Sequence, residues 1–121
     1  MQSKHILFGA ELSLFSGKAR AYLRWKDIDF EEIRPSQDIY RNEIVPLTGY
    51  PVIPVVKSKE GDYVQDTTDI IDYFEDKIGG PSVYPDTPKQ RLAALLLELY
   101  GDEWLVIPAM HYRWSYNKNW V

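Results

Sequence analysis

The alternation of apolar and polar positions divides the chain into short elements. Residues 4–9 read as a first strand, apolar at Ile6, Leu7 and Phe8, and Gly9 to Leu14 as a connecting loop. A helix is predicted from Ser16 or Gly17, because Phe15, Ala19, Tyr22 and Leu23 fall at i, i+4, i+7 and i+8 on one face. Asp27-Ile28-Asp29 ends it, and residues 30–34 read as a second strand, which completes a βαβ unit with an expected right-handed crossover. Residues 37–44 suit two helical turns, and residues 45–51, punctuated by Pro46, Gly49 and Pro51, suit a loop. Val52 to Val56 is a short β-branched strand with Pro54 inside it. A polar turn containing Gly61 leads into Tyr63-Val64-Gln65 as the second arm of an antiparallel hairpin. Asp66-Thr67-Thr68-Asp69 has the acids and hydroxyls of a helix start, and Ile70, Ile71, Phe74 and Ile78 form its buried face. Gly79-Gly80-Pro81 stops that helix.

Beyond it, residues 82–86 read as a linker. Thr87, Pro88 and Gln90 then occupy the N-cap, N1 and N3 positions of a capping box. Leu92, Leu95, Leu96 and Leu99, widened by Ala93, Leu97 and Tyr100, make a helix apolar over most of its circumference, which expects cover on several sides. Pro108 should kink or end it, and Met110, Tyr112, Trp114, Tyr116 and Trp120 leave apolar and aromatic side chains near the end of the sequence. Such a helix is expected either to belong to a larger protein or to rely on a partner for cover.

Composition narrows the possibilities. With 121 residues, 45% of them hydrophobic, the chain is one ordinary domain or one domain with part of another. A formal charge of −4 argues against a nucleic-acid partner. No apolar run reaches the roughly 18 to 20 residues of a membrane span, and residues 1–5 lack a signal peptide's apolar core. A cytoplasmic location is the expectation. The absence of cysteine excludes disulfides, cysteine-rich metal sites and dithiol redox chemistry. No metal site is expected, and His5 and His111 have no partner by spacing.

The candidate chemistry lies between Tyr50 and Ile71. Proline inside a strand removes a ladder donor and marks special backbone geometry, and X-Pro is the bond that adopts cis at modest cost. A cis Ile53-Pro54 bond would turn the Ile53 backbone outward, where an extended peptide can pair with it. Asp66 stands where a strand passes into a helix, and a helix N-terminus suits a carboxylate. The two features together point to one peptide-like, acidic ligand.

The strand Val52-Ile53-Pro54-Val55, followed by Asp66-Thr67 opening a helix that continues Ile70-Ile71-Asp72-Tyr73-Phe74, resembles the glutathione-binding half of the glutathione S-transferases. The resemblance reaches upstream to residues 6–9 and 13–20 and covers about the first two-thirds of the chain; from Pro85 on, only the opening of the family's helical second domain is resembled. It implies an α/β fold with a thioredoxin-like βαβαββα domain over residues 1–80, followed by the start of an all-α domain over residues 81–121. It implies that Pro54 is cis, that Thr67 and the helix N–H groups hold the γ-glutamyl carboxylate, and that Gln65 and Asp66 face the ligand's amino end. The family's thiolate-stabilising donor follows the first strand. Aligning residues 19–23 with the family's first helix puts Ser13 there, with Ser16 as the second choice. Arg41 or Lys18 is placed to meet the glycyl carboxylate. The implied function is binding of glutathione and conjugation of its thiolate to an electrophilic small molecule, in a homodimer. The rival reading is a non-catalytic interaction or assembly module on the same fold. The sequence departs from the family's pattern at Tyr50-Pro51-Val52, which replaces a shorter, basic approach to the proline.

Overall fold

The computed structural model describes residues 3–116, so Trp120 of the aromatic tail lies outside the described residues. The chain divides into two compact units, Met1–Pro81 and Ser82–Val121.

In the first unit, strand β1 (His5–Phe8) is followed by helix α1 (Leu14–Trp25) and strand β2 (Phe30–Ile33). A helical segment comes next: α2 (Gln37–Ile39), a π-helical turn (Tyr40–Ile44) and α3 (Val45–Thr48). Strands β3 (Val55–Lys57) and β4 (Tyr63–Gln65) and helix α4 (Thr67–Lys77) complete it. The sheet order is β2-β1-β3-β4, with β1 parallel to β2 and antiparallel to β3, and β3 antiparallel to β4. This is the mixed sheet of the thioredoxin-like α/β class.

Side-chain alternation along these strands divides the core between two faces. His5 meets the Phe74 ring edge-on at 5.0 Å, which marks the face covered by α4. Leu7 and its register partner Val56 belong to that face, and Ala19, Leu23, Ile70 and Phe74 are buried on the two helices that cover it. Tyr22 of α1 and Lys26, the residue that ends it, tie to α4 through Glu75, at 2.7 Å and 3.0 Å. On the other face, Phe8, Val55 and Ile44 form a buried cluster with Ile6, Ile33, Ile39, Tyr40 and Tyr63 packed around it.

Four expectations are corrected. Helix α1 begins at Leu14, two residues before the expected start, because the Ser13 side chain caps it by accepting the Ser16 N–H at 3.2 Å. Residues 45–48 are helical rather than a loop. Pro46 falls in the first turn, where its missing N–H is harmless, and Gly49 closes the turn at φ 87°. Strand β3 starts at Val55, so Pro54 precedes the ladder that it cannot join as a donor. Ile78 of the expected buried face is extended and only half-buried.

The second unit consists of α5 (Pro88–Leu99), a π-helical turn (Tyr100–Trp104) and α6 (Val106–Trp114). Thr87 caps α5: its Oγ1 accepts the Gln90 N–H at 3.4 Å and donates to Gln90 Oε1 at 2.7 Å. Pro108 sits inside α6 rather than ending a helix, and the irregular turn lies just before it. The N–H that would have bonded to the Trp104 carbonyl is the one proline lacks. No residue of α5 or α6 is buried.

Candidate functional site

Strand register lays out the site. Ile33, Phe8, Val55 and Gln65 form one row across the sheet. Phe8 is the last residue of β1, Val55 the first of β3 and Gln65 the last of β4. The loop that leads to Ser13, the Ile53-Pro54 pair and the Asp66-Thr67 pair therefore emerge at the same end of the sheet. Helices α1 and α4 both start there, so two sets of unpaired N–H groups and two positive dipole ends share that edge.

Ser13 is half-buried. Its N–H donates to the Ala10 carbonyl at 3.0 Å, and its Oγ accepts the Ser16 N–H. A hydroxyl that accepts still has its own proton to donate, so Ser13 can serve as cap and donor together. Ser16 is fully buried, and its Oγ accepts the Ala10 N–H at 3.2 Å. A Cβ on Gly9 would come within 3.1 Å of that Oγ and 3.0 Å of Glu32 Oε1, so a larger residue there would have to push Ser16 or Glu32 aside by a few tenths of an ångström. Ser16 thus helps fold the loop from inside.

A second tie was not foreseen from sequence. Arg20 forks onto Glu32, with Nε donating at 2.5 Å and Nη2 at 2.6 Å, and Nη2 also reaches the Ala10 carbonyl at 3.3 Å. The hydrogen bond from Arg20 holds the Glu32 carboxyl below the usual carboxylate range. The signal was present: alternation along β2 puts Glu32 on the same face as Phe30, toward the helix that carries Arg20.

The Ile53–Pro54 peptide bond is cis, Pro54 is buried and Ile53 half-buried. The Gln65 side-chain amide donates to the Val52 carbonyl at 3.0 Å, which closes the approach to the proline. Asp66 is at φ 77° and ψ 136°, away from the wells that L-residues favour. Its carboxylate accepts the Thr68 N–H at 2.8 Å and caps α4. Thr67, the first residue of α4, is 4% exposed. Arg41 is exposed on the π-helical turn between α2 and α3, whose Ile44 packs on Phe8 and Val55, and Lys18 is half-buried on α1. Among the described residues no cluster of His, Asp and Glu is arranged to hold a metal ion, and no helix is long and apolar enough to cross a membrane.

Comparison with known proteins starts from this geometry. Residues 7–82 match the family model described as glutathione S-transferase, N-terminal domain. Curated protein sequences give no match. Among solved structures, the beta-etherase of Sphingobium sp. strain SYK-6 superposes with a TM-score of 0.75 at 20% identity, over 94% of this chain and 49% of that one. A tau-class glutathione S-transferase from mango, Mangifera indica, gives 0.72 at 22%, over 97% of this chain and 53% of that one. A glutathione S-transferase from Methylobacterium radiotolerans, in complex with glutathione sulfonate, gives 0.72 at 24%, over 83% and 47%. The chain spans about half the length of each of these structures, and at these identities the likeness is one of fold. The family model runs from β1 through α4, the segment that builds the row of Ser13, Pro54 and Asp66, and this chain belongs to the glutathione S-transferase family.

Proposed function

We propose that the chain binds glutathione along this row and stabilises its thiolate for transfer to an electrophilic small molecule. The observation that carries the reading is the meeting of three features at one end of the sheet: the Ser13-capped start of α1, the cis Pro54, and Asp66 at φ 77°. Holding a non-glycine residue in such a conformation costs on the order of 1–3 kcal/mol, and strain of this kind gathers at ligand clamps.

In this reading Thr67 and the first N–H groups of α4 receive the γ-glutamyl carboxylate, and Asp66 and Gln65 face its amino group. The Ile53 backbone pairs with the cysteinyl residue, and Arg41 meets the glycyl carboxylate. The Ser13 hydroxyl donates to the sulfur, and the positive end of α1 favours the anion. The thiol proton passes to solvent, and the sulfur electron pair forms the new bond to carbon as that carbon's bond to a leaving group breaks and the group departs with its electron pair, or as a conjugated double bond opens and the acceptor takes a proton from solvent. The related structure that holds glutathione sulfonate supports the ligand class. A homodimer and a cytoplasmic location belong to the same reading.

The test is calorimetric titration of glutathione into the wild type, Thr67→Ala and Ser13→Ala. Thr67→Ala is expected to weaken binding by about 1.5 to 3 kcal/mol, the range for a hydrogen bond to a charged group. Ser13→Ala is expected to bind nearly as well but to leave the bound thiol's pKa unlowered. A folded wild type that does not bind glutathione would leave the second reading, a non-catalytic docking module. The exposed leucines of residues 92–99 favour that reading.

A further inference from the structure

The loop after β1 has two sides. The cis-proline and Asp66 lie toward β3 and β4, whereas β2 flanks β1 on the opposite edge. On that β2 side there is a cavity of about 690 Å³, walled by residues 9–12, by Arg20 and Arg24 of α1, and by Glu32 and Arg34 at the end of β2. This volume suits a small organic ligand.

The charges in this cavity are unevenly matched. Its wall carries three arginines against Glu11 and Glu32, in a chain whose net charge is −4. Arg20 is spent on Glu32 and on the loop carbonyl. Arg24 and Arg34 are exposed, and among the described residues neither side chain makes a hydrogen bond or salt bridge, although the Arg24 charge helps Arg20 to hold the Glu32 carboxyl low. They come from different elements. Arg24 lies one helical turn past Arg20, and Arg34 follows Ile33, whose carbonyl accepts the Gly9 N–H at 3.1 Å. The wall thus keeps one positive charge in excess, and two guanidiniums whose side chains make no hydrogen bond among the described residues face one concave space from two sides; guanidinium geometry suits the paired oxygens of a carboxylate or a phosphate. An extended polyanion is a poor fit to a confined site on an acidic protein.

We propose that this cavity is a second ligand site, separate from the glutathione row, and that it takes a small organic anion bearing carboxylate or phosphate groups, held by Arg24 and Arg34. The site adjoins the chemistry of the row. The Ala10 carbonyl that anchors Arg20 also accepts the Ser13 N–H, so one wall of the cavity is the loop that leads to Ser13.

The test is calorimetric titration of citrate and, separately, of pyrophosphate into the full chain at fixed low ionic strength. The same titrations are made with the Arg24→Gln/Arg34→Gln double variant and with Thr67→Ala. Both arginines are exposed, so the double variant is expected to keep the wild-type circular dichroism spectrum. Saturable one-site binding of either anion is expected, weakened about tenfold or more in the double variant, unchanged in Thr67→Ala and undiminished by added glutathione. Binding of citrate alone identifies a carboxylate ligand, and binding of pyrophosphate alone identifies a phosphate ligand. The proposal is overturned if neither anion binds saturably, if the double variant loses less than that, if Thr67→Ala weakens binding, or if glutathione competes. It does not depend on whether glutathione binds at all.

Discussion

The two units of this chain are built from comparably apolar sequence and end in different states. In the first, Leu7, Leu23, Ile44, Val55, Val56 and Ile70 are wholly removed from solvent. In the second, Leu92 is 59% exposed, Leu97 69% and Trp104 63%. A sheet brings distant segments together, so residues of its central strands β1 and β3 find cover on both faces. Two consecutive helices offer each other one stripe at most, and a helix that is apolar nearly all round keeps surface to spare. Hydrophobic content therefore does not make a core; the number of directions from which the chain returns to the same place does.

The widest gap between the units is expected from paired truncations. Phe74→Ala removes a ring that is 1% exposed and is expected to cost about 3–5 kcal/mol, the range for emptying such a site. Leu96→Ala removes a side chain that is 56% exposed and is expected to stay within about 0.5 kcal/mol. Urea unfolding of the full chain, followed by a probe in the first unit, measures both. Equal losses would mean that residues 88–114 are covered in solution.

A smaller effect sharpens the comparison by asking whether charged ties belong to the cooperative core. Glu32→Gln breaks the fork with Arg20, whose side chains are 19% and 25% exposed. A loss of about 1.5 to 3 kcal/mol is expected, together with faster amide exchange across residues 9–12. The Glu32 carboxyl is held low in the fold by Arg20, so its contribution is complete above the unfolded pKa and is lost as pH falls through the folded one. The difference between wild type and variant should accordingly narrow in acid, below about pH 4.5.

The smallest expected effect concerns His5. It is 6% exposed, and its Nδ1 accepts the Lys59 N–H at 3.2 Å. Burial pushes its pKa below the ordinary value, with Glu60 opposing and Lys59 adding to the shift. A depressed pKa means that the unfolded chain takes the proton first. Stability is therefore full above about pH 6.5 and is lost as pH falls below it. His5→Asn keeps an acceptor without the titration, and its unfolding midpoint should be flat between about pH 7 and 5 while that of the wild type declines. The helical signal of residues 88–114 should not follow this titration.

The order of strands and helices was legible from the sequence because it depends on short periodicities. Ala19, Tyr22 and Leu23 announce α1; Ile70, Ile71 and Phe74 announce α4; the glycine of the Lys57 to Asp62 turn announces the hairpin. The capping box of α5 was legible for the same reason, since Thr87, Pro88 and Gln90 act within one turn. Pro54 and Asp66 were legible from local chemistry, a proline inside a strand and an acid where a strand passes into a helix; Ser13 joined them through family resemblance, because a serine so far away along the chain carries no local sign of the meeting.

Only the tertiary structure decided the rest. That Ser16 turns inward and Ser13 stays at the edge follows from how close Gly9 lets the loop lie against α1. The choice of helix over loop for residues 45–48 went with the burial of Ile44 against Phe8 and Val55, since propensity is weak and a packed face outweighs it. The fork of Arg20 on Glu32 and the meeting of Arg24 and Arg34 at one cavity exist only because β2 lies beside β1. Outside residues 45–48, the sequence by itself determined which elements form, through interactions within a few residues; which side chains face one another across the sheet was set by strand register, a long-range property.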